Sequence, residues 1–93
     1  MIRSFKDKET EKIYHQQYSR VLPASIQRTA LRKLIMMDTA QSINDLRMPP
    51  SNHLERLHGD REGQYSIRIN DKYRICFVYS GIDAFDVEIV DYH

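Results

Sequence analysis

The 93-residue sequence predicts an α+β fold, in which an antiparallel β-sheet of about four to five strands packs against two N-terminal helices. The last third holds three short runs rich in Ile, Val, Phe and Tyr, separated by Asn, Asp and Gly residues that favour turns, which is typical of an antiparallel meander. The clearest helical periodicity lies upstream, between about residues 24 and 40. The order of elements, one short strand, two helices and then strands, is that of an α+β sandwich.

The size and composition of the chain favour one soluble domain, which we expect to span residues 1–93. Hydrophobic residues make up 41% of it and charged residues 29%, which is ordinary for a globular protein. The single cysteine, Cys76, lies in a strand pattern, so we expect a buried structural thiol and no disulfide framework. No apolar run approaches the roughly 18–20 residues of a membrane span, and the start of the chain has no signal-peptide pattern. We therefore expect a cytoplasmic protein that does not contact a membrane.

The charge of the chain is distributed unevenly. The net charge is only +1, which gives no overall attraction to nucleic acid. Residues 1–33, however, carry eight Lys/Arg and three Asp/Glu, whereas residues 75–93 carry four acids and no Lys/Arg. This asymmetry predicts one basic face, although two solvated helices with ordinary surface charge would give the same pattern.

The N-terminal elements are predicted as a short strand and a surface helix. Residues 2–5 alternate apolar and polar side chains, as expected for an edge strand. Ser4 and Asp7 resemble a capping box for a helix over residues 6–18, whose apolar content is low. Pro23 then disfavours helical geometry at the residue before it, which predicts the end of this helix.

The second helix, from residue 24 or 25 to residue 40, is predicted to cover one face of the sheet. Its predicted buried face consists of Ile26, Ala30, Leu34 and Met37, widened by Leu31 and Ile35. The polar remainder, which we expect to face solvent, includes Gln27, Arg28, Thr29, Arg32 and Lys33.

A connector and the strands follow. Residues 42–46 predict a short turn, and Met48-Pro49-Pro50 predicts extended backbone. A weak alternation over residues 52–60 indicates a short strand that runs into a loop. The three strong strand patterns cover residues 63–70, 73–79 and 87–93.

The residues that can carry chemistry form a basic and aromatic set near the sheet. The spacing of the four histidines matches no common metal motif, and no nucleophilic triad, phosphate-binding glycine loop or dinucleotide fingerprint is present. If Tyr65, Ile67 and Ile69 face the helices, alternation places Arg68 on the open face, together with Arg74. Arginines in that position suit a phosphate or a carboxylate, although they can also merely keep a sheet soluble. The neighbouring segments add Arg56, Arg61, Lys72, His53 and His58.

The end of the last strand raises a question of geometry. Asp91 and His93 share parity with Ile89, whereas Tyr92 shares parity with Glu88. Strict alternation therefore cannot place all three terminal residues on one face with Arg74. Either the chain leaves the ladder there, or only some of the three residues act in the site.

From Leu54 onward the sequence resembles HigB-type toxins of the RelE/ParE superfamily of bacterial toxin–antitoxin systems. The resemblance is carried by Gly59-Asp-Arg-Glu-Gly63, by Tyr73-Arg-Ile-Cys-Phe77 and by the terminal Asp91-Tyr92-His93, and the opening residues and the proline-containing connector fit it too. It implies a small microbial-RNase-like fold and metal-independent cleavage of mRNA on the translating ribosome, without a cofactor.

The resemblance also implies the roles of individual residues. The ribose 2′-OH attacks the adjacent phosphate, so the enzyme needs a base, a positive charge for the phosphorane and an acid for the leaving oxygen. Arg74 would stabilise the phosphorane, Asp91 and His93 would be base and acid in an order left open, and Tyr92 would orient or stack the nucleotide. We expect the RNA to be bound by Arg56, Arg61, Arg68, Lys72 and His53.

One position departs from the better-known arrangement of the family. His58 stands where that arrangement has a lysine, and histidine, unlike lysine, transfers protons near neutral pH. We therefore add His58 to the candidate catalytic residues and expect a histidine-type pH dependence.

The resemblance further implies partners. These are the ribosome with its mRNA, a HigA-type antitoxin with a helix-turn-helix, and operator DNA bound through that antitoxin. The basic N-terminal helices are our expected antitoxin surface, because the acidic C-terminal sheet would repel an acidic partner. Two other functions fit the same fold: a non-enzymatic ParE-like toxin that inhibits DNA gyrase, and an inactive toxin that acts only with its antitoxin at the promoter.

Overall fold

The computed structural model describes residues 1–91 of the chain. Four strands form one antiparallel sheet in the order β1-β2-β3-β4, and two helices pack on one of its faces. The elements are α1 (Lys8–Tyr14), α2 (Ala24–Thr39), β1 (Glu55–Arg56), β2 (Gln64–Arg68), β3 (Tyr73–Ser80) and β4 (Asp83–Asp91). The predicted α+β fold is confirmed. Within residues 1–91, neither helix is long and apolar enough to cross a membrane.

The N-terminal segment pairs with the sheet as an additional edge. Ile2 and Phe5 form parallel bridges to Ala84 and Val87 of β4. Hydrogen bonds run in both directions, from the Arg3 amide to the Ala84 carbonyl at 2.8 Å and from the Ala84 amide to the Met1 carbonyl at 2.9 Å. The predicted edge segment is therefore present, as isolated bridges rather than a continuous strand.

Helix α1 is shorter than predicted and has a different N-cap. The carboxylate of Asp7 accepts a hydrogen bond from the Thr10 amide at 3.1 Å, so Asp7 is the cap, and the capping role predicted for Ser4 is wrong. The helix ends after Tyr14 because Gln16 adopts a left-handed conformation with φ 63°. The amides of Gln16 and Gln17 then bond back to Ile13 and Lys12, which satisfies the last carbonyls of the helix.

Helix α2 has the predicted bounds, but two of its side chains lie on unexpected sides. Ile26, Ala30, Leu34 and Met37 are buried as predicted. Ile35 was expected to widen this face, yet it is 48% exposed, since nine residues at 3.6 per turn place it opposite Ile26. Lys33 was expected in solvent and is buried instead.

The burial of Lys33 also follows from helix geometry. It lies seven residues after Ile26, almost two full turns, and is therefore on the buried stripe. Its ammonium reaches polar partners at the edge of the core, described below.

The connector between α2 and the sheet makes two short 3-10 turns, Ile43–Arg47 and Pro50–Asn52. The first of these is the turn predicted for residues 42–46. The second leads directly into His53, which has a left-handed backbone with φ 45° and ψ 55°. The strand predicted within residues 52–60 is present as β1 but comprises only two residues.

The register of the sheet sorts its side chains into two faces. Ile67, Ile75 and Phe77 point into the core with the helices, and full burial of a side chain of this size contributes roughly 1.5–3 kcal/mol. A bulge in β4 near Asp86, where φ is 53°, places Val87 and Ile89 in the same core. The alternate residues of β2, β3 and β4 therefore form the outer face, on the side of the sheet away from the helices.

Candidate active site on the outer face of the sheet

The site is built around Arg74 in the middle of β3. Arg74 alternates with Ile75, so it lies on the outer face, as the strand pattern predicted. Its neighbours across the ladder are Arg68 on β2 and Val90 on β4. The next row of the outer face runs Glu55, Ser66, Cys76 and Glu88 across all four strands.

Arg74 is not an ordinary surface arginine, because only 7% of it is exposed. Its Nε donates to the Ser66 hydroxyl at 2.8 Å, and one terminal nitrogen donates to the His53 carbonyl. The same nitrogen lies 3.4 Å from the Glu55 carboxylate. A guanidinium held from several directions and partly removed from water interacts more strongly with an anion than a solvated one does.

Glu55 is a further candidate site residue, which the sequence did not predict. It is the register partner of Ser66 in β1, and its side chain is about half exposed, at 49%. A carboxylate that touches Arg74 and also reaches solvent can accept a proton from a bound hydroxyl group. Because β1 has only two residues, its weak alternation gave no reliable indication of which of them faces Arg74.

A second group of charges lies beside Arg74 on the same face. Arg61 donates to the Glu88 carboxylate at 3.0 Å and to the Gln64 side chain at 3.1 Å. The Lys6 ammonium lies 3.4 Å from the same Glu88 carboxylate. With two cations around one carboxylate, this group remains net positive and extends the positive charge of Arg74 along the face.

The residue beneath these charges is Cys76. It is fully buried, as predicted, and this burial raises the pKa of its thiol. Cys76 therefore acts as a small neutral side chain under the site.

The structure does not bring Asp91 onto the face of Arg74. Asp91 pairs with Tyr73 and alternates with Val90, which places it on the same side of β4 as Ile89. Its carboxylate lies 3.7 Å from the ammonium of Lys72. The other two terminal candidates, Tyr92 and His93, lie outside the described residues.

The other predicted RNA-binding residues have different surroundings. Arg68 is beside Arg74 and forms a close ion pair with Asp71. Arg56 pairs with Tyr65 and so alternates to the side of β1 opposite Glu55. Lys72 lies over the Tyr73 ring, 5.8 Å from its centroid.

The two candidate histidines differ in what they contribute. The observed link from His53 to the site is its main-chain carbonyl, which accepts from Arg74, while its side chain is exposed. His58 is exposed in the loop before β2, and its Nδ1 lies 3.8 Å from the Glu62 carboxylate.

The chain resembles known proteins in sequence along its whole length. The family described as the RelE-like toxin of type II toxin-antitoxin system HigB matches residues 3–93. Toxin HigB-1 of Vibrio cholerae serotype O1 is 44% identical over 78 residues, which are 83% of this chain and 82% of that protein. Endoribonuclease HigB of Proteus vulgaris is 32% identical over an alignment of 96 positions that covers all of both chains.

The fold has a counterpart among solved structures. A chain of the YoeB-YefM complex from Staphylococcus aureus superposes with a TM-score of 0.59, covering 100% of this chain and 95% of that one. The sequence identity is 19%, so the likeness concerns the fold alone.

Proposed function

We propose that this chain, which belongs to the HigB-like family of RelE-like toxins of type II toxin–antitoxin systems, is an endoribonuclease that cleaves mRNA on the translating ribosome. The observation that carries the proposal is the buried Arg74 with Glu55 beside it, on a sheet face that also presents Arg61 and Lys6. The name of the Proteus vulgaris relative, Endoribonuclease HigB, supports the same activity.

The reaction we propose is an attack by the ribose 2′-OH on the adjacent phosphorus. A new P–O2′ bond forms, the P–O5′ bond breaks, and the products are a cyclic phosphate and a free 5′-OH. Arg74 donates to the non-bridging oxygens, whose negative charge grows in the phosphorane, and its fixed position spares reorganisation during the reaction.

The proton transfers require a base and an acid. Glu55 is positioned to take the 2′-OH proton, since its carboxylate touches the same guanidinium that would hold the phosphate. Each such group contributes about 10²–10⁴-fold in rate. The 5′-oxygen then takes a proton from an acid, a role that we assign to His93 from the resemblance of the chain end, with Tyr92 stacking on the nucleotide and His58 as a further proton carrier.

The dependence on the ribosome follows from the modest charge of the site. Binding of free RNA relies on cations that neutralise phosphates. The chain has a net charge of only +1, and Glu55 and Glu88 offset part of the positive charge on the outer face. We therefore propose that the ribosome provides most of the binding energy for the mRNA and places the mRNA next to Arg74. Arg61 and Arg68 then contact the mRNA backbone.

Primer extension on one mRNA, with and without translating ribosomes, tests this function. We expect discrete cuts that require ribosomes and disappear with Arg74→Ala. Arg28→Ala is the matched control, because Arg28 is exposed on α2, on the helical side of the molecule and away from the outer face of the sheet. Intact mRNA with wild-type protein that still stops growth would instead favour a ParE-like gyrase inhibitor.

We further propose that the antitoxin binds on the helical side of the molecule. A groove of about 450 Å³ lies there, lined by apolar Ile13 and Leu31, by Tyr18 and by Arg28. Tyr18 and the nearby Val21 are largely exposed. Such a groove suits an amphipathic segment of a partner protein.

The charged residues around this groove indicate the sign of the partner's charge. Arg20, Arg28 and Arg32 are exposed, and none of them lies within 4.0 Å of a carboxylate among residues 1–91. An acidic antitoxin segment would pair with them. Through its own helix-turn-helix such an antitoxin would place the complex on operator DNA.

A charge reversal tests this surface separately from catalysis. With the purified cognate antitoxin, Arg28→Glu should weaken binding at least about 10-fold, because a favourable charge pair becomes a repulsive one. Its cleavage of mRNA on ribosomes should be unchanged. Equal antitoxin affinity for Arg28→Glu and the wild type would place the interface elsewhere.

A further inference from the structure

Lys33 is a buried cation in the middle of the helix that covers the sheet. Only 3% of it is exposed, and its ammonium donates to the Asn52 side-chain oxygen at 2.9 Å and to the Arg68 carbonyl at 2.6 Å. Burying a lysine is costly compared with an apolar residue of similar size. At this position a methionine would satisfy the apolar stripe of α2, so the charge calls for another explanation.

In the first partner of Lys33, Asn52, both the oxygen and the nitrogen of the side-chain amide are hydrogen-bonded. The side-chain oxygen accepts from Lys33, and the side-chain nitrogen donates to the carbonyls of Leu46 and Met48 at 3.1 and 3.3 Å. Asn52 is fully buried. It therefore anchors the connector to helix α2 at the residue that precedes His53.

His53 is the point at which this connector meets the active site. Its left-handed backbone is unfavourable for a residue other than glycine and persists only where its surroundings hold it. In that conformation its carbonyl accepts a hydrogen bond from the terminal nitrogen of Arg74. A change in the conformation of the connector would thus displace this carbonyl and, with it, the Arg74 guanidinium.

The second partner of Lys33 leads to the same place. Arg68, whose carbonyl accepts from Lys33, is the register partner of Arg74 across β2 and β3. Lys33 thus fixes the main chain on two sides of Arg74, the connector and the neighbouring strand.

We propose that Lys33 is a positioning residue for Arg74, which through Asn52 holds the His53 carbonyl that aims the guanidinium at the scissile phosphate. The proposal rests on the proposed nuclease function for its catalytic consequence. Its structural consequence, the placement of the Arg74 side chain, does not depend on that function.

Nitrogen-detected NMR of the arginine side chains tests the placement first. The Nε–H signal of Arg74, identified by its absence in Arg74→Lys, reports the hydrogen bond to Ser66. We expect Lys33→Met to shift this signal and to speed its exchange with water, while the core amides of α2 and β3 keep their positions. Lys12→Met, a change of an exposed lysine on α1, should leave it unchanged. An Arg74 signal that is the same in Lys33→Met and wild type would overturn the proposal.

Cleavage on programmed ribosomes tests the consequence. We expect Lys33→Met to lower kcat about 10-fold and to leave KM within about twofold, because a displaced catalytic group slows chemistry more than binding. Lys33→Arg, which keeps the cation and its donors, should recover most of kcat. A wild type that does not cleave refutes the nuclease, and the NMR result still decides the positioning. A Lys33→Met protein that cleaves like the wild type refutes the positioning alone.

A second variant covers the case in which Lys33→Met does not fold. Asn52→Asp has the same shape and keeps an oxygen for Lys33, but it removes the two donors to Leu46 and Met48. The connector then loses its anchor, and the Arg74 signal should move as in Lys33→Met. An unchanged signal in Asn52→Asp would overturn the proposal equally.

Discussion

At the scale of single residues, the site depends on the contrast between a buried arginine and a half-exposed glutamate. Arg74 is fixed and largely removed from water, which strengthens its attraction for a phosphate. Glu55 touches Arg74 but keeps access to solvent, so it can exchange protons. In the proposed reaction, Arg74 therefore stabilises the developing charge and Glu55 transfers the proton.

The structure leads to different expectations for the two candidate base residues, Glu55 and Asp91. Glu55→Gln should lower the single-turnover cleavage rate about 10²-fold or more, because the base is lost. Asp91→Asn should have a smaller effect, since Asp91 lies on the other side of β4 and pairs with Lys72. The measurement is the rate constant on saturating programmed ribosomes, with Glu11→Gln on α1 as the control. A larger loss for Asp91→Asn than for Glu55→Gln would contradict this assignment.

The histidine in the loop before β2 supplies a second test at this scale. If His58 carries a proton in the reaction, the pH–rate profile of the wild type should show a histidine-type inflection. His58→Ala should remove that inflection and lower the rate at its optimum. The profile of cleavage rate against pH is the measurement, and identical profiles for the two proteins would exclude the role.

At the scale of elements, a hydrogen-bond network joins α1 to the turn before α2. The Glu9 carboxylate accepts from the hydroxyl of the buried Ser19 at 2.7 Å, and that hydroxyl accepts from the amides of Val21 and Leu22. These bonds fix the segment after α1, of which Gln16, Gln17 and Tyr18 line the proposed antitoxin groove.

The network makes this region sensitive to pH. The bond from Ser19, and then the one from Lys12, lower the pKa of Glu9 from its ordinary value of 4.5. A carboxyl group with a lowered pKa in the folded state stabilises the fold above its unfolded pKa, and the effect is lost as the pH falls through the folded pKa. Urea unfolding from about pH 6 down to about pH 3 should therefore show a shallower loss of stability for Glu9→Gln than for wild type. Equal slopes for the two proteins would contradict this, and Glu11→Gln is the matched control.

The elements also show which features could be predicted from sequence and which could not. α2, β2 and β3 follow from strong periodicities in β-branched and apolar residues, so their positions were predicted closely. β4 begins at Asp83, four residues before the predicted start at residue 87. The end of α1 depends on one left-handed residue, Gln16, which no side-chain pattern marks. The periodicity of α2 places Lys33 on the buried stripe, seven residues after Ile26. The prediction placed it in solvent because lysine is charged.

The candidate active site was predictable only in part, for a related reason. Alternation placed Arg74 on the outer face because β3 is long and regular. Glu55 was not predicted because β1 has only two residues and so shows no clear alternation. The contact of Arg74 with His53 depends on the path of an irregular connector. Contacts that arise from irregular backbone leave no periodic signal in the sequence.

At the scale of the whole molecule, the sheet separates two surfaces with different proposed tasks. We propose that the outer face, with Arg74, Glu55 and its cations, contacts the mRNA, and that the helical side, with its groove and the exposed Arg20, Arg28 and Arg32, binds the antitoxin. Lys33 connects the two layers near the site, since it extends from α2 to the main chain beside Arg74. This arrangement allows cleavage and antitoxin binding to be altered independently.

The most direct test of the nuclease account is a single-turnover measurement on preformed complexes of ribosome and mRNA, in which the bound fraction of protein is determined alongside. We expect Arg74→Ala to bind within about threefold of wild type and to cleave at least about 10²-fold more slowly, while the wild-type products carry a 5′-OH. Arg28→Ala, a change of an exposed arginine on α2, should match the wild type in both quantities. Cleavage by Arg74→Ala at the wild-type rate would contradict the account, because the outer face built around this arginine would then not be the active site.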